Sequence, residues 1–273
     1  MIAWLRTIFT IALITILTGA LGIIAIVAAL FHVKDRPGGV YDWVPRTWSK
    51  LIMRVAGIKV RVHGFENAGG GEPRIFVSNH MSLFDVPALS SILPRNRFVA
   101  KAELFKIPIF GGAIRAAGMI EIQRDNKRAA FDSYKVAGAK ICNGISIVVF
   151  PEGTRGIDYP ISPFKKGPFI LAIAAQVPIV PVIIHGTREI VPKGEVTVRP
   201  GMIDVHLLDP VPVAGLGYED RDVLTATVRD RMVEAMRFHY GVEPQPARAR
   251  GAAVTARAQE QSSDAILNNS KLG

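Results

Sequence analysis

The sequence predicts an α/β fold: a layered domain with a mostly parallel or mixed sheet flanked by helices, plus an N-terminal membrane-associated helical hairpin. Three observations predict it. Residues 146–150 and 179–184 are continuous apolar runs, the pattern of strands buried on both faces. A helix-like stretch at 166–176 separates them, and strand and helix patterns alternate along most of the chain, as in layered α/β domains. Residues 8–31 carry no charge and exceed the roughly 20 apolar residues that cross a bilayer.

The 8–31 segment is too long for the apolar region of a secretory signal, which is about 7–15 residues. Arg6 precedes it, and seven cations against two carboxylates lie between Lys34 and Arg61. Positive flanks stay on the cytoplasmic side, so the bulk of the chain is expected in the cytoplasm; a re-entrant or half-inserted segment is the alternative geometry. At 46–57, Trp48, Leu51, Ile52 and Val55 fall on one helical face and Arg46, Lys50 and Arg54 on the other. That pattern predicts a basic amphipathic helix at a lipid interface; a helix packed on the domain is the alternative. Residues 1–57 are therefore read as a membrane anchor.

The globular part, 58–240, opens with an alternating strand at 58–63. A short strand at 75–77 precedes a helix at 83–93, with Ser82 as its N-cap. Further strands are expected at 97–100 and 119–123, and a helix at 126–143. A hairpin of 196–199 and 203–208 through Pro200-Gly201 comes late, before a closing helix at 221–240 whose apolar face carries Leu224, Val228, Met232 and Ala235. Residues 241–273, rich in Pro, Ala, Arg and Gln, read as a disordered tail.

Lys plus Arg minus Asp plus Glu is 33 − 23 = +10, which calls for an anionic partner. The cations cluster beside the apolar segment and no nucleic-acid-binding module is present, so an anionic membrane surface or a phosphorylated substrate is favoured over nucleic acid. Cys142 is the single cysteine, which excludes an internal disulfide and a cysteine metal site; it is expected to be a small core residue. No metal site is expected.

Chemistry concentrates in two stretches. The first is Ser78-Asn-His-Met-Ser-Leu-Phe-Asp-Val-Pro87. An unperturbed imidazole titrates at about 6.5, and a carboxylate at its far nitrogen fixes the tautomer. His80 and Asp85 would not meet on one regular helix, where i and i+5 are roughly 140° apart. They meet if the histidine ends a strand and the aspartate opens the next helix. The second stretch is Phe150-Pro-Glu-Gly-Thr-Arg155, placed directly after a buried run, where ligands of open α/β sheets bind. Gly153 admits close backbone approach and Arg155 can fork onto a phosphate. Lys101, Arg124 and the cations of Phe164-Lys-Lys-Gly167 are further candidates for an anionic ligand. Cations at a helix start are disfavoured by its dipole, a cost that an anion would offset.

Asn-His-x4-Asp at 79–85, Lys-x-Glu-Leu at 101, Gly-x-Ile-x-Ile-x-Arg at 118–124, Phe-Pro-Glu-Gly-Thr-Arg at 150–155 and Val-Pro-Ile-Val-Pro-Val at 177–182 resemble, in order and spacing, the glycerolipid acyltransferase family. The resemblance runs from about 58 to 210 and is strongest to bacterial lysophosphatidic acid acyltransferases. Glu121 and Gln123 stand where that family has an apolar and an acidic residue. The resemblance implies transfer of an acyl chain from acyl-CoA or acyl carrier protein to the sn-2 hydroxyl of lysophosphatidic acid, giving phosphatidic acid, without a cofactor. It implies His80 as general base oriented by Asp85, and substrate binding by Lys101, Arg124, Glu152, Gly153, Thr154 and Arg155. It also implies a membrane lipid acceptor and a catalytic domain on the cytoplasmic side of the inner membrane. Another acceptor, glycerol 3-phosphate or a lyso-aminolipid, and a non-catalytic lipid-binding role are the alternatives. The intact His80, Asp85, Glu152 and Arg155 argue against the last.

Overall fold

The computed structural model describes residues 2–123 and 127–244. In chain order the elements are α1 (Ile2–Leu30), α2 (Val40–Val55), β1 (Ile58–His63), β2 (Ile75–Ser78), α3 (Asp85–Ile92), β3 (Asn96–Lys101), α4 (Phe110–Ala116), β4 (Ile120–Ile122), α5 (Lys127–Cys142), β5 (Ser146–Val149), α6 (Gly167–Ala175), β6 (Ile179–His185), α7 (Thr187–Ile190), β7 (Gly201–Leu207) and α8 (Arg221–Tyr240). The seven strands form one sheet in the order β1-β7-β6-β2-β5-β3-β4. Every neighbouring pair is parallel except β6 and β7.

The period of two along each strand sorts its side chains between two helical layers. Ile75, Val77, Ile147, Val149, Ile179 and Ile183 pack under α5, α6 and α8. Phe76, Val148, Val180, Val182 and Ile184 pack on the other face with Ile52 and Met53 of α2 and Ala88 and Leu89 of α3. The central strands are thus covered on both sides, which is why they read as unbroken apolar runs.

The N-terminal helices form a hairpin against the domain. α1 is long and apolar enough to cross a membrane. Its second half packs on the protein: Leu21 and Ala25 join Val44 of α2, Trp48 Nε1 donates to Thr18 Oγ1 at 2.9 Å, and Gly22 and Ile26 meet Ala113 and Gly112 of α4. α2 begins six residues earlier than expected and sends one face into the domain core. Arg46, placed on the basic face of an interfacial helix, donates instead to the Leu93 carbonyl at 2.5 Å. The link between the two helices is fastened to the amino end of β3. Arg97, 1% exposed, pairs with Asp42 at 2.8 Å and Asp35 at 3.1 Å, and Arg95 pairs with Asp35 at 2.8 Å.

Four local expectations are corrected. There is no hairpin at 196–208: both edges of β7 are taken, by β1 and β6, so 196–200 has no free edge to join. Cys142 is exposed, because α5 turns Ala137 and Ile141 inward and the next residue is rotated away by about 100°. Ser82 is not the N-cap of α3; its Oγ donates to the Val191 carbonyl at 2.9 Å, and Asp85 takes the nearby amides. On α8 the fourth buried position is Met236 rather than Ala235, continuing the spacing of four from Leu224. The tail beyond 244 and Arg124 lie outside the described residues.

Candidate active site

β2 and β5 are adjacent and parallel, with Val77 opposite Val149, so the 78–87 and 150–155 stretches leave the same edge of the sheet side by side. Asn79 is buried and extends β2 by one rung: its Nδ2 donates to the Ile184 carbonyl at 2.9 Å and its Oδ1 accepts the Ile184 amide at 2.8 Å. His80 follows in the turn and Asp85 is the first residue of α3. The expected layout of strand-end histidine and helix-start aspartate is what the chain adopts.

His80 Nδ1 lies 2.7 Å from Asp85 Oδ2. The same oxygen accepts the amides of Met81 at 2.6 Å and Ser82 at 2.8 Å, and the carboxylate is fully buried. A carboxylate in this position can only accept, so the proton of a neutral imidazole sits on Nδ1 and Nε2 keeps its lone pair. Nε2 has no partner among the described residues. The ring stacks on Phe150, centroids 4.1 Å apart and planes 17° from parallel, which fixes its second degree of freedom.

The 150–162 loop is latched to this turn. The Gly156 amide donates to the His80 carbonyl at 2.7 Å. Glu152 is turned inward: Oε1 accepts the His80 amide at 2.9 Å and Oε2 the Ser162 amide at 3.0 Å. Burial pushes the Glu152 carboxyl above the usual carboxylate range, against the pull of those two amides. Arg229 of α8 holds the far side of the loop through the carbonyls of Ile161, at 2.8 Å, and Ser162, at 3.4 Å. Glu152 therefore braces the histidine's backbone.

The remaining expected residues are distributed around this centre. Gly153 has φ +77°, and a Cβ there would come within 2.8 Å of Lys165 Cε, so the lysine stem crosses the glycine. Thr154 is exposed. The Arg155 carbonyl accepts Lys193 Nζ at 2.8 Å, while its guanidinium takes no hydrogen bond or ion pair among the described residues. Lys101, at the carboxyl end of β3, pairs with Glu103 at 3.0 Å in an exposed position. Lys166 is paired with Asp222 at 2.7 Å, so its place at a helix start is compensated within the chain without an anionic ligand. A recess of about 30 Å³ beside Phe150 is lined largely by apolar side chains, among them Val99, Ile122, Tyr134 and Val149, with Gly153 and Lys165 on its wall.

Sequence reading missed Ser162, which acts through its backbone amide, and Arg229, whose guanidinium donates to backbone carbonyls; neither leaves a motif. It flagged Phe150 only as part of a motif, and the stacking needed the third dimension. Lys165 was visible in the Phe-Lys-Lys run but could not be told from Lys166.

An acyltransferase family model matches residues 59–185. A chloroplastic 1-acyl-sn-glycerol-3-phosphate acyltransferase of Brassica napus is 34% identical over 72% of this chain and 56% of its own length. The human 1-acyl-sn-glycerol-3-phosphate acyltransferase alpha is 36% identical over 68% of this chain and 66% of its own. The chain thus spans less than two thirds of these curated relatives. The crystal structure of the 1-acyl-sn-glycerophosphate (LPA) acyltransferase of Thermotoga maritima superposes with a TM-score of 0.73 at 29% identity, covering 86% of this chain and 95% of that one.

Proposed function

Because the chain belongs to the acyltransferase family, we propose that it moves an acyl chain from a thioester, acyl-CoA or acyl carrier protein, to the sn-2 hydroxyl of lysophosphatidic acid, giving phosphatidic acid. The observation that carries the reading is the 2.7 Å contact of His80 with buried Asp85 at the sheet's carboxyl edge, beside the 150–155 loop. His80 Nε2 takes the hydroxyl proton as that oxygen attacks the thioester carbonyl. Asp85 holds the imidazole in the required tautomer and stabilises the imidazolium. The tetrahedral adduct collapses with loss of the thiolate, which takes the proton back from His80. No covalent acyl-enzyme is required, and the only cysteine, Cys142, lies at the far end of α5.

The guanidinium of Arg155, unpaired among the described residues, is suited to the acceptor phosphate, with the ammonium of Lys165 above Gly153 as a second cation. Lys101 and Arg124 are assigned to the same phosphate on the resemblance of their motifs. The acceptor and product are both lipids, so α1 is read as the element that keeps the site at the membrane, on its cytoplasmic side. The basic stretch 34–61 adds attraction to anionic lipid of about 1 kcal/mol per cation near the surface.

The test is acyl transfer by the purified chain in mixed micelles. Lysophosphatidic acid is set against glycerol 3-phosphate and a lyso-aminolipid, with acyl-CoA and acyl carrier protein donors of several lengths. Turnover confined to lysophosphatidic acid supports the assignment; turnover confined to another acceptor overturns it.

A further inference from the structure

Outside the His80 site, two features converge on the turn after β3. Residues 102–106 form a 3-10 turn and α4 starts at Phe110. Across this stretch the chain leaves Leu104, Ile107 and Ile109 exposed at 38%, 45% and 50%. The turn is strained: Ile109 has φ +61° and ψ −56°, closed by the Phe110 amide on the Pro108 carbonyl at 2.6 Å. A positive φ is rare for a β-branched residue and persists only where the surroundings impose it. Here Gly111 is pressed on Phe105, so close that a Cβ would lie 2.2 Å from that carbonyl oxygen. A strained turn that directs aliphatic side chains toward solvent marks an interaction surface.

The second feature is continuity with α1. The Ile109 side chain and Ala113 lie against Gly22, and Ile26 lies against Gly112. On its other sides α1 exposes Ile16, Ile23, Val27 and Leu30. Apolar surface therefore continues from α1 through Ile109 toward Ile107 and Leu104. Gly22 is roughly 12 Å from the C-terminal end of α1 at 1.5 Å per residue, so a bilayer covering the exposed face of α1 up to that end reaches the turn. Lys101, Lys106 and Arg115 flank the aliphatic residues; Lys101 is paired with Glu103 and Arg115 with Glu121, while Lys106 has no ion pair among the described residues. Apolar tips beside a cation left without a counter-charge suit an anionic lipid surface.

We propose that the 102–110 turn is a second membrane contact, with Leu104, Ile107 and Ile109 entering the boundary between headgroups and acyl chains of an anionic bilayer. The contact rests on the reading of α1 as a membrane element and adds an orientation to it. β3 runs directly into the turn, so the carboxyl edge of the sheet, where His80 stands, faces the lipid.

The test uses the full chain with Cys142→Ser. Ile107→Cys is labelled with nitrobenzoxadiazole in vesicles of phosphatidylethanolamine and phosphatidylglycerol. The Ile107 side chain is exposed, so the variant keeps the fold. The expected result is blue-shifted emission quenched by lipids carrying a nitroxide near the top of the acyl chain. The same probe at Glu72→Cys, before the amino end of β2, stays aqueous. An Ile107 probe as aqueous as the Glu72 probe overturns the proposal. So does a blue shift that disappears when protein is diluted at constant lipid composition, which would make the occupant a second copy of the chain. Since the probe needs no turnover, failure of the acyl-transfer assay leaves this result readable. Ile107→Asp is expected to raise KM several-fold for lysophosphatidic acid presented in vesicles while kcat is kept.

Discussion

His80 is constrained from three directions: Asp85 at Nδ1, Phe150 on the ring face and Glu152 at its amide. With those fixed, Nε2 is the one part of the residue left to act. His80→Ala is expected to lower turnover by about 10²–10⁴-fold, the usual worth of a general base, with the melting temperature little changed. Steady-state kinetics beside a melt checks it, and near-normal turnover would remove His80 from the mechanism. Arg155 is expected to act differently. Its main chain is held by Lys193 while its guanidinium is available, so Arg155→Ala should raise KM for lysophosphatidic acid with a smaller effect on kcat. An unchanged acceptor KM would place the phosphate elsewhere, with Lys165→Ala as the next variant.

Among the elements, the hairpin of α1 and α2 is held at both ends by different chemistry. Near Gly22 it is close packing of small residues against α4; at the linker it is the cluster of Asp35, Asp42, Arg95 and Arg97. Arg97 is almost wholly buried, and removing one partner of a buried ion pair strands the other charges. Arg97→Ala is therefore expected to cost about 3–5 kcal/mol, read as a lowered melting temperature in detergent. A change within error would mean that water replaces the guanidinium without penalty. α2 contributes Ile52 and Met53 to the core under the sheet, so it is part of the domain. A truncation that tests α1 as the membrane element should therefore end after α1 rather than at residue 57.

For the whole molecule, the unexpected feature is where the histidines gather. Four of the six, His63, His185, His206 and His239, lie with Tyr240 where α8 ends over β1, β6 and β7. The Tyr240 hydroxyl is 2.8 Å from His206 Nε2, and His63 stacks on the same ring at 4.3 Å. Burial, then the neighbouring His239 and His63, push His206 down to about 4, opposed only by Asp204. The folded value lies below the unfolded one of about 6.5. The contribution of His206 to stability is therefore complete above about 6.5 and is lost as pH falls toward 4. Melting temperatures across that range should decline in the parent protein and more shallowly in His206→Phe; parallel curves would exclude His206 as the source.

The sequence by itself determined most of the strand and helix order, apart from α4, α7 and the strand expected at 196–199, and with it the apolar α1, the pairing of His80 with Asp85 and the companion loop at 150–155. Each of these is written in local periodicity, or in a motif a few residues long, and survives without knowledge of distant contacts. Only the tertiary structure decided the neighbours of β7, the exposure of Cys142, the inward turn of Glu152 and the gathering of histidines from β1, β6, β7 and α8. Those features depend on which strand edges are already occupied and on which side chains from remote segments fill the same volume. A one-dimensional pattern does not encode such relations, because burial and hydrogen-bond satisfaction are settled by the assembled neighbours.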